Sequence, residues 1–415
     1  MIETLRKLLQ YESIAEHGEA PYPYGHPVAQ AKDYMLDLCK SFGFRTKDAD
    51  GKYAYAEIGE GEELIGILCH LDVVPEGDGW DYPAFDGTIA KVDGEERLYG
   101  RGTIDDKGPA VANVFAMKDI LDSGRPLNKR IRIIFGQSEE NGDWDDIKAY
   151  KAQEELPAYG YTPDGEFPAI YGENGITLFK VSYPLADSGF ASIKGGSAPN
   201  AVPDYCQGET VDGKKFEAFG KAAHGCAPWL GENAISKAME GLDEPFAVMY
   251  NELIGWDLSG AKLGIACVDA ASGALTLNAG KIFVEEDNLI LYLDIRYPVT
   301  AKISDLTDAI TMRFAEYGAT AELIHHMAPV YMDQHGPVMQ ALLSAYRQVT
   351  GDDTEAMTTG GGTYARAMEN IIAFGPVFPG HLCTEHEKNE YILVEDFLKL
   401  RQVYRAALEA LLELK

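Results

Sequence analysis

Several groups of side chains along this chain could together bind metal ions and move a proton. An apolar run, Leu64-Ile65-Gly66-Ile67-Leu68-Cys69, ends by presenting His70 and then Asp72. Asp105 and Asp106 close a glycine-punctuated turn, Gly100-Arg101-Gly102-Thr103-Ile104. Glu139 and Glu140 follow a second apolar run, Asp164 sits in Pro163-Asp164-Gly165, and His386 stands far downstream. Imidazoles and carboxylates are ligands for divalent cations, and a spare carboxylate beside such a cation can act as a general base. Taken singly, each has an ordinary explanation: a satisfied core histidine, a solvated glutamate pair, an Asp-Gly turn.

Placement changes the balance. Residues i and i+2 of an extended segment point to one side, so Asp72 can hold one ring nitrogen of His70 and leave the other for a metal. Adjacent glutamates repel unless a cation or a shared proton relieves them. Most of these groups come just after an apolar run or a glycine turn, which is where sites form in an open α/β sheet, outside the carboxyl ends of the strands.

The elements that must position them are legible in outline. Residues 2–10 and 28–42 read as amphipathic helices, with Val28, Met35 and Leu38 on one face of the second. Residues 53–58, 64–69 and 130–135 read as strands, and 109–121 as a helix entered through Pro109. No Gly-Lys-Ser/Thr ends the glycine turn and G-x-G-x-x-G is absent, which argues against a nucleotide loop. More than half the chain's length separates Asp164 from His386, far beyond a loop connection, so a domain is expected to be inserted there. The expected division is 1–174 and 330–415 for the first domain and 175–329 for the insert. Within the insert, strand patterns at 176–181, 289–296 and 320–325 and helix patterns at 233–251 and 303–317 give an α+β composition. A short buried strand at 371–374 and an amphipathic helix at 394–414 close the chain.

Bulk properties bound the function. A chain of 415 residues, 46% of them apolar, suits two globular domains. With 36 basic against 66 acidic side chains the net charge is -30, which disfavours nucleic acid and anionic membranes as partners. Six cysteines without a C-x-x-C pair indicate neither a zinc knuckle nor a disulfide framework. The first nine residues lack the apolar region of a signal peptide and no stretch is long enough to span a bilayer, so a cytoplasmic location is expected.

His70-Leu71-Asp72-Val73-Val74-Pro75, Gly77-Asp78-Gly79-Trp80, the run from Gly100 to Pro109, Glu139-Glu140, Pro163-Asp164-Gly165-Glu166-Phe167-Pro168 and His386-Glu387-Lys388-Asn389-Glu390 carry a specific resemblance. The chain resembles the dinuclear zinc metallopeptidases that include aminoacylase and carnosinase, and among them the peptidase V-like dipeptidases. This resemblance implies an α/β catalytic domain of the phosphorylase/hydrolase-like kind, an open mixed sheet with helices on both faces, carrying an inserted α+β lid domain. It implies His70, Asp105 and Asp164 on one metal and Asp105, Glu140 and His386 on the other, with Asp105 bridging. Asp72 would orient His70, and Glu139 would be the general base. Two cations about 3.5 to 4 Å apart need such a bridging carboxylate. The implied metals are zinc, although carboxylate-rich sites also accept manganese or cobalt.

In the lid, the resemblance assigns His224 to the developing oxyanion and Asn200 and Arg296 to substrate contacts. Their ordinary alternatives are a turn cap for Asn200 and a surface salt bridge for Arg296. Gly361, Gly362 and Thr363, in a glycine-rich segment, would offer backbone N–H groups to the substrate carboxylate. The Asp105–Asp106 peptide bond is expected to be cis. The expected activity is hydrolysis of dipeptides, by a monomer in preference to a homodimer. The alternatives are an N-acyl amino acid deacylase or desuccinylase of the same family, and a silent binding protein on the same fold. A silent descendant would be expected to lose Glu139 or a ligand, and none is missing.

Overall fold

Leu64–His70 is a strand buried along its whole length. Ile65, Ile67 and Cys69 enter one hydrophobic core and Leu68 enters another, so the strand is covered on both faces, as an unbroken apolar run requires. The computed structural model, which describes all 415 residues, places this strand inside a nine-stranded mixed sheet. It runs parallel to Arg130–Gly136 on one side and to Tyr159–Thr162 on the other, and the latter is parallel to Ile371–Ala373. Antiparallel Ala54–Gly59 and Arg45–Asp48 extend the sheet beyond Arg130–Gly136.

One face is covered by the helices Ile2–Leu9, His26–Ser41, Lys107–Asp122, Pro337–Thr350 and Val394–Leu412, whose apolar sides share a core with Ile65 and Ile67. The other face carries Asp145–Gln153 and the turn Tyr364–Ala367. Three parallel strands therefore end at one edge, at His70, Gly136 and Thr162. A small sheet of Thr88–Val92, Glu95–Tyr99 and Tyr391–Leu393 ties the C-terminal loop to the chain just ahead of Asp105, through pairing of Tyr391 with Tyr99.

The chain divides into two compact units. The first is Met1–Tyr171, Met332–Met357 and Thr363–Lys415; the second is Gly172–Tyr331 with Thr358–Gly362. Residues 172–174 and 330–331, expected in the first domain, thus fall in the second unit, and so do 358–362. The cause is hydrogen bonding: Asn174 N–H donates to Thr359 O at 3.0 Å, and Arg296 Nη1 donates to Gly360 O at 3.3 Å.

The second unit is built on a seven-stranded antiparallel sheet. Gly175–Pro184 alternates buried and half-buried residues along its length, the pattern of a sheet with one covered face. The helix expected at 233–251 is two helices, Ala234–Met239 and Pro245–Leu253. Gly241 between them adopts a φ of 73° and Pro245 opens the second, the punctuation that ends one helix and starts another. No helix is long and apolar enough to cross a membrane. All six cysteines are unpaired.

Candidate metal centre and catalytic site

The sheet edge delivers the candidate ligands. His70 is the last residue of its strand and pairs in register with Gly136. Glu139 and Glu140 follow Gly136, and Asp164 follows Thr162. Asp105 stands two residues ahead of Lys107–Asp122. The Asp105–Asp106 peptide bond is cis, as expected.

Asp105 lies between two imidazoles. His70 Nε2 is 2.7 Å from its Oδ1 and His386 Nε2 is 2.9 Å from its Oδ2, so each carboxylate oxygen serves one histidine. Glu140 Oε2 approaches His386 Nε2 at 3.1 Å. Two ligand-bearing groups result, His70–Asp105–Asp164 and Asp105–Glu140–His386, each with its ligand atoms within 4.8 Å of one another. Both contain Asp105.

The supports of this cluster differ from the sequence reading in one respect. His70 Nδ1 meets the main-chain carbonyl of Asp72 at 3.0 Å, while the Asp72 carboxylate stands 3.6 Å away. A carbonyl only accepts, so Nδ1 carries a proton and Nε2 is the ligand atom. The Asp72 carboxylate accepts instead from Glu140 N–H at 2.9 Å. The reason is that the strand stops at His70, so the alternation that would align the two side chains does not continue to Asp72.

Sequence reasoning missed three supporting residues. Tyr364 N–H donates to Asp164 Oδ2 at 2.7 Å, and its ring stands edge-on to His70 with centroids 5.8 Å apart. Gly136 makes this approach possible, since a Cβ there would lie 2.3 Å from the Tyr364 hydroxyl. Glu390, fully buried, pairs with Arg101 Nη1 at 2.7 Å and accepts from the N–H groups of Gly102 and Ile104 at 3.0 and 2.9 Å. It pins the turn that presents Asp105. Asp106 accepts from His70 N–H at 3.1 Å. An acidic residue beside each ligand motif was the available signal, but the partners lie far away in sequence.

The electrostatics are those of crowded carboxylates. Burial and the Asp164 carboxylate push Glu139 well above the usual range, and burial and Asp105 push Glu140 up to about 8. Burial lowers His386, but its bonds to Asp105 and Glu140 outweigh that and raise it to about 11. His70 is likewise held well above its ordinary value by Asp105 and Asp72 against the effect of burial. Protons here do what a cation would do. Glu140 Oε1 is buried without a hydrogen-bond partner, and a site of two imidazoles and three carboxylates, with one shared carboxylate, fits a pair of divalent cations.

The second unit holds His224, Asn200 and Arg296 near one another. His224 is exposed; its Nδ1 lies 2.9 Å from Cys226 Sγ and accepts Cys226 N–H at 3.2 Å. Because a backbone N–H can only donate, the neutral ring carries its proton on Nε2, which is then a hydrogen-bond donor. Asn200 O accepts Gly225 N–H at 2.7 Å, and the Asn200 side chain is exposed. Arg296 is buried and chelates Asp294 through Nε and Nη2 at 2.9 and 3.0 Å, so its ion pair is interior, in contrast to the surface salt bridge set beside its binding role. Gly361 N–H donates to Thr359 Oγ1 at 3.0 Å within the turn, while Thr363 Oγ1 accepts from Ala365 N–H at 3.2 Å.

The sequence that builds this fold matches a known family. The model of peptidase family M20/M25/M40 matches residues 66–410, and the chain belongs to that family of metallopeptidases. A Staphylococcus epidermidis relative described as "Putative dipeptidase" is 35% identical over 458 aligned positions, covering 99% of this chain and 97% of the relative. A Staphylococcus aureus relative of the same description is 33% identical with the same coverage. Among solved structures, human carnosine dipeptidase 1 is similar with a TM-score of 0.64 at 16% identity, covering 100% of this chain and 96% of that one. The Saccharomyces cerevisiae di-peptidase Dug1p gives a TM-score of 0.65 at 15% identity, covering 99% and 95%. These structural likenesses establish the fold.

Proposed function

We propose that the chain is a dipeptidase that hydrolyses the peptide bond of free dipeptides at a dinuclear metal centre. The observation that carries this reading is Asp105, whose two oxygens each face a different histidine, with Glu140 and Asp164 completing the two groups. His70, Asp105 and Asp164 would hold one cation and Asp105, Glu140 and His386 the other; zinc suits this donor set, as do manganese and cobalt. Bound there, two divalent cations supply Lewis acidity that polarises a carbonyl and makes water more acidic.

The remaining work falls to side chains of this chain. Glu139, beside the ligand Glu140 after the strand that ends at Gly136, takes a proton from the attacking water as the water oxygen bonds to the peptide carbonyl carbon. It returns that proton to the amine as the C–N bond breaks. His224 donates from Nε2 to the carbonyl oxygen as negative charge develops there. Asn200, Arg296 and the segment Gly361, Gly362 and Thr363 contact the substrate ends.

The test is turnover of metal-reconstituted protein on free dipeptides and on their N-acylated counterparts. Hydrolysis of free dipeptides is expected; hydrolysis of acylated compounds alone would assign the chain to the deacylases of this fold.

A further inference from the structure

A cleft of about 840 Å³ in the second unit is lined by Trp229, Trp256, Leu258 and Leu275, with Cys226 and Gly360 at its edge. Trp229 is 62% exposed and Trp256 47%. Indoles that remain exposed in a concavity are an unfilled contact surface, since each offers a large apolar area to whatever enters. The only charged residue in the lining is Asp257, and its oxygens are already engaged: Oδ1 accepts from Ser259 N–H at 2.9 Å and Ser259 Oγ–H at 2.6 Å, and Oδ2 from Lys262 N–H at 2.8 Å. The cleft therefore offers no counter-charge to an acidic guest, and its one carboxylate is already held by neighbouring donors.

Two residues of the cleft's lining are hydrogen-bonded to the residues assigned above to substrate. Cys226 N–H bonds His224 Nδ1, and Gly360 O accepts from Arg296 Nη1. Gly225, between His224 and Cys226, bonds Asn200. These bonds hold the cleft's lining next to His224, Asn200 and Arg296 within the second unit.

We propose that the cleft receives one side chain of the substrate and selects for a large uncharged one, aromatic or branched aliphatic, against small or acidic side chains. The inference rests on the hydrolase reading above for the identity of the scissile bond, but not for the chemistry of the guest. A side chain that fills such a recess excludes water from two indoles, whereas a methyl group leaves them wet and a carboxylate must be desolvated without a cationic partner.

The experiment is a kcat/KM panel on the full-length, metal-loaded protein, with Ala-Ala, Ala-Phe, Phe-Ala, Ala-Leu, Leu-Ala, Ala-Asp and Asp-Ala and the N-acetyl form of each. At one of the two positions, Phe or Leu should exceed Ala by roughly 10- to 100-fold and Asp should fall below Ala. In Trp256→Ala and Trp229→Ala, checked for folding by thermal melting, the Phe/Ala ratio should collapse toward one, and Trp256→Phe should retain it. A wild-type ratio near one, a preference for Asp, or an unchanged ratio in both alanine variants would overturn the proposal. A wild-type dimer dissociated by these variants with selectivity intact would also overturn it, assigning the indoles to self-association. If only acetylated compounds react, the dipeptidase reading fails and the same ratios still decide the cleft. If nothing reacts, indole fluorescence decides: a blue shift with Phe-containing compounds and none with Ala-Ala supports the cleft, and no shift overturns it.

Discussion

The Asp72 carboxylate accepts a hydrogen bond from the backbone N–H of Glu140 at 2.9 Å, while the carbonyl of the same Asp72 holds His70 Nδ1 at 3.0 Å. One residue thus fixes a ligand from each of the two metal groups, through two different atoms. Asp72 Oδ1 forms an ion pair with His70 Nδ1 at 3.6 Å, so this buried carboxylate spans both ligands, with its hydrogen bond going to Glu140.

Asp72→Ala keeps the carbonyl and removes the carboxylate. His70 should stay oriented while the Glu140 loop loosens, because a buried N–H loses its acceptor at a cost of about 1–3 kcal/mol. Supports of this kind are worth roughly 10- to 100-fold in metal affinity. Competition against a chelator should show that loss mainly at the site containing Glu140 and His386; equal loss at both sites, or none, would contradict the assignment.

The metal-free protein should lose stability as pH rises from about 5 to 7. Glu140, raised to about 8 by burial and Asp105, keeps its proton when folded and loses it when unfolded near its ordinary value, so folding binds protons across this window. Glu139 contributes in the same direction. His386, raised to about 11, adds to the slope above its unfolded value near 6.5. Lys107, lowered to about 7 by burial, opposes the trend only at higher pH. Thermal melting of chelator-treated protein at the two pH values checks this. Metal loading should reverse the slope, because cations then replace those protons.

His224→Ala should lower kcat roughly 100- to 1000-fold with little change in KM and with metal content intact. The expectation follows from Nδ1 accepting Cys226 N–H, which leaves Nε2–H as the donor. A rise in KM at constant kcat would make His224 a ground-state contact instead.

What the sequence made legible was local chemistry placed at the ends of apolar runs. The strand ending at His70, the paired glutamates after Gly136, and Asp164 after Thr162 could be placed because parallel strands present their carboxyl ends together. The helix at 233–251 could not be read correctly from apolar periodicity, which runs on across Gly241. Tyr364 under His70, Glu390 on the turn before Asp105, and the attachment of 358–362 to the second unit all depend on partners hundreds of residues away or across a sheet. The Asp72 carboxylate was assigned to His70 because alternation was extended two residues past the strand's end.

The central claim separates a carboxylate that moves a proton from carboxylates that hold metal. It is tested most directly by metal content and turnover measured together on Glu139→Ala and Asp105→Ala after reconstitution. The structure predicts that Glu139→Ala binds two cations per chain and turns over no dipeptide, while Asp105→Ala, having lost the group shared by His70 and His386, binds less than one. Glu139→Ala protein that is metal-free, or Asp105→Ala protein that keeps two cations, would contradict it.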